Sequence, residues 1–296
     1  MNHAILGAGG VGGLVGSILA HAGEQVTVLL RPETFSRHPE HIRFERPSGE
    51  NTAPVRRSVK LDEPVDILWV TVKALQLESA LRTLPPGGAG IGTIVPLLNG
   101  IDHVALLRSR YGHERVVPGT IGVEAERVAP GHIVVRSSFI RLTLAAQGEA
   151  KLGGIAEIFR QAGVACEFHP NEQTMLWSKL SYLAPFALTG TASDKPIGEI
   201  LSNAEWRTRL ESVIRETCNV ADAEGANLDA AKPLAILGTF PATARSSMQK
   251  DVTAGRVPEL DAIGGPIVRG GVKHHIDHSV TRELIEKIER KLHPPN

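Results

Sequence analysis

The chain has 296 residues, 42% of them hydrophobic and 22% charged, a balance that supports a sizeable buried core and excludes a disordered or fibrous protein. Lysine plus arginine equals aspartate plus glutamate at 32 each, so there is no basic excess to recommend a nucleic acid or an acidic membrane surface as partner. The only cysteines, Cys166 and Cys218, form neither a disulfide framework nor a zinc site, which fits a reduced compartment. No apolar run is long enough to span a bilayer, and the first strand follows the N-terminus without a basic flank or cleavage site, so a cytoplasmic protein is expected.

Length alone favours two domains. Strands are expected over residues 4–6, 25–30, 66–70 and 91–95, alternating with helical patterns as in a parallel sheet with crossover helices. Residues 74–84 read as a helix closed by Pro85-Pro86-Gly87-Gly88, and Asp102 is placed to cap another after Asn99-Gly100. Residues 115–123 and 132–135, on either side of Pro130-Gly131, read as antiparallel strands at the edge of the same sheet. A helix over 152–163 and a strand over 164–168 complete this half. After His169-Pro170 the β-rich runs end, and residues 174–189, 204–223, 243–252 and 281–292 carry helical spacing. The expected organisation is α/β, with a Rossmann-type doubly wound domain over 1–170 and an all-α domain over 171–296.

Gly7-Ala8-Gly9-Gly10-Val11-Gly12 follows the first strand and opens a helix running to His21. In that context Gly7 permits a tight turn, Gly9 lets the backbone approach a pyrophosphate, and Gly12 allows close helix-strand packing. The helix N-terminus adds unpaired N–H groups and positive potential. Where a site for NAD usually carries a carboxylate, the end of the second strand reads Leu29-Leu30-Arg31. The Arg31 guanidinium can grip a 2′-phosphate, which points to NADP(H). The competing reading of Arg31 is a solvated loop charge beside Glu33. Lys73 lies at the carboxyl end of a strand, where open α/β sheets bind ligands, and is read as holding cofactor or substrate charge.

The glycine loop, Thr71-Val72-Lys73-Ala74-Leu75-Gln76, Leu98-Asn99-Gly100, Trp177-Ser178-Lys179-Leu180, Ser246-Ser247-Met248 through Asp251, and Glu259-Leu260-Asp261 together resemble the ketopantoate reductase (2-dehydropantoate 2-reductase) family. The resemblance spans the chain. It implies an N-terminal Rossmann domain joined to a helical domain like those of 6-phosphogluconate dehydrogenases, and reduction of a 2-oxo acid by NADPH. Hydride delivery to a ketone leaves negative charge developing on oxygen, so a proton donor must face that atom. Lys179 matches the family's general acid and is expected near the interdomain cleft. The resemblance makes Glu259 the residue that orients substrate near the lysine and Ser247 the one that binds its carboxylate. For the serine an N-cap role competes, since either Ser246 or Ser247 begins a helix. Asn99 is expected beside the nicotinamide ribose or the substrate, its competing role being that of a turn former.

The chain departs from the family at three positions where asparagines are expected, which here are Leu183, Ala187 and Ala244. Loss of polar partners points to a substrate less polar than ketopantoate, with Tyr182 and Thr189 as nearby replacements. Without turnover, the same chain reads as an NADP(H)-binding sensor. His274, His275 and His278 lack the spacing and companions of a metal site, so no metal is expected. The small-molecule substrate is the expected partner, together with a possible second copy of the chain.

Overall fold

A computed structural model describes residues 1–137 and 139–293. The chain divides into two compact units, Met1–Leu98 with His103–Glu172, and Asn99–Asp102 with the chain from Gln173 onward. The first contains β1 (Asn2–Leu6), α1 (Gly10–His21), β2 (Gln25–Leu29), α2 (Pro32–Phe35), β3 (His41–Arg46), β4 (Gly49–Pro54), β5 (Arg56–Ser58) and β6 (Val65–Val70). It continues through α3 (Leu77–Leu81), β7 (Ile91–Pro96), α4 (Asp102–Tyr111), β8 (Gly119–Gly122), β9 (Ala125–Ala129), β10 (His132–Val135), β11 (Arg141–Ala145), α5 (Glu149–Gln161) and β12 (Ala165–His169).

Five parallel strands in the order β5-β2-β1-β6-β7 form the central sheet. The order reverses at β1, so the loops after β1 and β6 meet at the carboxyl edge, the usual ligand crevice of such sheets. The interior strands are near-continuous apolar runs because they are covered on both faces, and Ile67, Leu68, Trp69 and Val70 are all buried. This is the Rossmann-type architecture expected from the sequence.

Helix α1 is buried almost all round, for it lies between two sheets. A Cβ on Gly12 would run into the Gly7 carbonyl and Ile5 on the central sheet. One on Gly10 or Gly13 would meet Ala125 or Ile133 on a second, four-stranded sheet of order β4-β3-β10-β9. A third sheet, β12-β11-β8, completes the unit.

Residues 115–123 and 132–135 therefore do not line the edge of the central sheet. Gly119–Gly122 pairs antiparallel with β11, while His132–Val135 pairs with β9 and β3 in the second sheet. Among the described residues, a bridge between Ile94 and Val116 ties residues 115–123 to the central sheet. Strand β9 escapes sequence reading because four of its five residues are exposed and carry no apolar alternation. The helix expected over 74–84 is a short 3-10 turn, Ala74–Gln76, followed by Leu77–Leu81, and Asp102 is the first helical residue of α4.

The second unit is helical: α6 (Glu172–Ser193), α7 (Ile197–Ser202), α8 (Ala204–Ala223), α9 (Ala231–Gly238), α10 (Ser247–Thr253), α11 (Leu260–His274) and α12 (Ser279–Leu292). One apolar cluster gathers Trp177, Leu188, Val220, Ile267 and Ile288, and another Phe186, Ile197, Leu210 and Leu237. The helix expected over 243–252 starts only at Ser247, because Ser246 caps it. The Ser246 hydroxyl accepts from Gln249 N at 3.1 Å, and the Gln249 amide oxygen accepts from Ser246 N at 3.0 Å. Among the described residues no helix is long and apolar enough to cross a membrane.

The N-terminus of α12 is capped from another helix. Buried Glu216 of α8 accepts from Val280 N and Thr281 N, both at 2.9 Å, and from Thr281 Oγ1 at 2.6 Å. Its carboxylate also faces the positive end of the α12 dipole. Glu216→Gln removes one acceptor oxygen from this buried set and is expected to cost about 1–3 kcal/mol. Ser246→Ala opens the capping box and is expected to cost about 1 kcal/mol. Thermal or denaturant unfolding checks both, and an unchanged midpoint for Glu216→Gln would refute the cap.

Candidate functional site

In the first unit the glycine loop is held as a preformed cradle. Gly7 has φ of +115°, and a Cβ there would lie 2.7 Å from Val72 N and 2.8 Å from the Thr71 carbonyl carbon. The Thr71 hydroxyl donates to Gly7 O at 2.8 Å, and Gly9 N donates to the same carbonyl at 2.9 Å. This threonine staples the loop, a role that its place directly after β6 does not announce in the sequence. A Cβ on Gly9 would meet nothing within 4 Å, so the loop faces open space there. Gly10, Val11 and Gly12 form the first turn of α1, whose N–H groups have no intrahelical acceptor. Ala8 is the remaining residue of the loop.

Arg31 lies two residues past the end of β2, after Leu30, and precedes Pro32 at the start of α2. Its side chain is 66% exposed and pairs with Glu33 at 3.4 Å. An exposed pair of this kind contributes about 0–1 kcal/mol and does not hold the guanidinium against a phosphate. Lys73 is half-buried just past the end of β6.

In the second unit Lys179, Asn99 and Glu259 form a hydrogen-bonded chain. Lys179 Nζ donates to Asn99 Oδ1 at 3.1 Å, and Asn99 Nδ2 donates to Glu259 Oε2 at 3.1 Å. Helix α6 carries the lysine. Glu259 is buried at the N-cap position of α11. Asn99 reaches both through a backbone contact written in two residues. Pro266 has no N–H to offer Ala262 O, four residues earlier in α11. Gly100, with φ of +81°, comes up against that carbonyl, where a Cβ would collide with it.

Removal of the Lys179 ammonium from water pulls its pKa down from 10.5 to about 8, while the nearby Glu259 carboxylate opposes the shift. Below that value the lysine is a charged donor; above it the amine is neutral.

Ser247 occupies the first turn of α10 with an exposed side chain and bonds to none of the three. The capping duty that competed for it belongs to Ser246. Asp251, also on α10, is buried and paired with Arg256 at 2.9 Å.

Leu183 stands one helical turn after Lys179, half-buried and packed on the larger apolar cluster. Ala187 is fully buried within that cluster, and Ala244 packs with Tyr182 and Phe240 on the smaller one. Thr189 offers no replacement polar contact, since it is fully buried and its hydroxyl donates to Pro185 O at 2.6 Å. The Tyr182 ring packs edge-on against Phe240. The three histidines do not converge: His274 bonds Glu224 at 2.7 Å, His278 bonds Ile276 O at 2.8 Å, and His275 ends α11 in the left-handed region. Among the described residues no group of three or more histidine, cysteine or acidic side chains is arranged to hold a metal.

The family model described as ketopantoate reductase PanE/ApbA matches residues 3–149, and that of its C-terminal domain matches residues 171–291. A 2-dehydropantoate 2-reductase from Caulobacter vibrioides is 29% identical over 280 residues, covering 92% of this chain and 93% of that protein. The crystal structure of a PanE/ApbA family ketopantoate reductase from Ralstonia eutropha superposes with a TM-score of 0.85 at 27% identity, covering 99% of this chain and 98% of that one. A D-mandelate dehydrogenase solved with NADH and anilino(oxo)acetate shares the fold, with a TM-score of 0.86 at 23% identity over 99% of this chain and 98% of that one. Ketopantoate reductases are NADPH-dependent oxidoreductases acting on CH–OH groups. With both of its units matched in order, the chain belongs to the ketopantoate reductase family.

Proposed function

We propose that this protein reduces a 2-oxo acid to the 2-hydroxy acid with NADPH, using Lys179 as the proton donor. The observation that carries the reading is the hydrogen-bonded chain from Lys179 through Asn99 to Glu259. The glycine loop fits a dinucleotide, because Gly9 faces open space and the first turn of α1 presents free N–H groups. The bound dihydronicotinamide supplies the hydride. Arg31 is assigned to the 2′-phosphate, and Lys73 to charge on the cofactor or the substrate.

Lys179 holds its proton at the substrate carbonyl oxygen and gives it up as charge develops there. Asn99 accepts from the ammonium and fixes its direction. Glu259 keeps the half-buried cation compensated and orients the substrate, while exposed Ser247 donates to the substrate carboxylate. A lysine whose pKa lies near 8 is charged at neutral pH yet releases its proton more readily than a solvated lysine.

The half-buried Leu183 beside Lys179 favours a narrower version of this reading. The substrate group that reaches Leu183 is apolar, and ketopantoate, with its hydroxyl, is the less suited of the 2-oxo acids.

NADPH oxidation is followed by absorbance with a panel of 2-oxo acids, and absence of turnover with every member would refute the reductase. Lys179→Met is expected to lower kcat/KM by at least about 100-fold. In the wild type kcat/KM falls as pH rises through about 8, because the acid form of Lys179 is lost, and the variant lacks that limb. Ser247→Ala is expected to raise KM without changing the unfolding midpoint, in contrast to Ser246→Ala. Trimethylpyruvate, the analogue of ketopantoate that lacks only the hydroxyl, is expected to exceed it in kcat/KM by about 10-fold. Leu183→Asn narrows that gap. A wild type that prefers ketopantoate overturns the apolar assignment and leaves the reductase standing.

A further inference from the structure

Strand β9, invisible as an element in the sequence, lies against the dinucleotide loop. Gly10 of that loop presses on the Ala125 carbonyl of β9, an approach that any Cβ would block. Arg127 sits two residues further along the strand, and its register partner on β10 is Ile133. Directly opposed residues of a β-ladder project to the same face. Ile133 packs on Gly13 of α1, so Arg127 projects to the α1 side of the sheet. Arg127 Nη1 donates to the Ala8 carbonyl at 3.4 Å.

The charge environment of this arginine differs from that of its neighbours. Arg43, Arg57 and Arg136 each bond a carboxylate, on Glu50, Glu40 and Glu126 respectively. Arg127 forms no ion pair among the described residues, and the one acceptor that holds it is a neutral carbonyl. It also lies at the N-terminus of α1, where the helix dipole is positive and a cation is disfavoured. Two positive elements facing the same open loop are stable together when an anion lies against both.

We propose that Arg127 is a cofactor-binding residue that grips the pyrophosphate of the dinucleotide alongside the N–H groups of α1. The inference rests on the reading of residues 7–12 as a dinucleotide cradle. It separates the phosphates by residue: Arg127 at Ala8 serves the pyrophosphate, which NADPH and NADH share, and Arg31 at the end of β2 serves the 2′-phosphate, which only NADPH carries.

Dissociation constants for NADPH and NADH, measured by quenching of tryptophan fluorescence or by calorimetry, test the division. Arg127→Ala is expected to weaken both dinucleotides by the same factor, about 10-fold or more, as loss of a charge-assisted contact to phosphate does. Arg127→Lys keeps the charge and loses less for both. Arg31→Ala weakens NADPH alone. Arg127 is exposed, so the variants are expected to unfold at the wild-type midpoint. A loss confined to NADPH would put Arg127 at the 2′-phosphate and overturn the proposal, as would unchanged affinity for both. A wild type that binds neither dinucleotide refutes instead the reading of the loop.

Discussion

Backbone carbonyls can be approached closely by another main chain only where no Cβ stands between them, and both halves of the candidate machinery are built on that constraint. In the first unit, Gly10, Gly12 and Gly13 let α1 lie between two sheets, with its N-terminus bare beside β1. In the second, Gly100 advances onto the Ala262 carbonyl that Pro266 leaves without an intrahelical donor. The first approach shapes the glycine loop that we read as an anion cradle, and the second delivers Asn99 to Lys179 and Glu259. A methyl group at Gly10, Gly12 or Gly100 would collide with main-chain atoms, and one at Gly13 with the Ile133 side chain.

The electrostatics of the two units follow the same logic, in that each places positive charge against groups that can stabilise or receive it. The loop of the first gathers positive potential from free N–H groups, a helix dipole and Arg127, which forms no ion pair among the described residues, all suited to phosphate. The second takes an ammonium out of water and keeps it charged at neutral pH by an amide acceptor and a carboxylate beyond it. Buried charge without such partners shifts its pKa until it neutralises. Here the shift stops near 8, where a donor remains protonated at neutral pH but gives its proton up readily.

The larger apolar cluster of the helical unit reaches Leu183, the next turn of the helix that carries the lysine. Thr189, further along α6, spends its hydroxyl on its own helix. Polarity in this part of the unit is thus concentrated in Lys179, Asn99 and Glu259, with apolar Leu183 one helical turn from the lysine. Family membership defines the reaction type; under the proposed function, the neighbours of the lysine select the oxo acid.

What the sequence determined by itself is what short-range pattern encodes. The central strands are apolar runs, the glycine loop joins a strand to a helix within six residues, and the second half carries helical spacing, so the Rossmann unit, the helical unit and the strand-loop-helix turn were all legible. Ser246 or Ser247 was recognisable as a cap, but which of the two depended on whose hydroxyl faces Gln249 N. Tertiary structure decided what lies far apart along the chain. Asn99 bonds partners 80 and 160 residues away, through a Gly100 contact that no local periodicity announces. Strand β9 has too few buried side chains to be read as a strand, and only its pairing with β10 sets Arg127 over Ala8, 119 residues distant. Local sequence specifies which face of an element seeks burial, whereas the partner that covers it is selected by the packing of the whole chain.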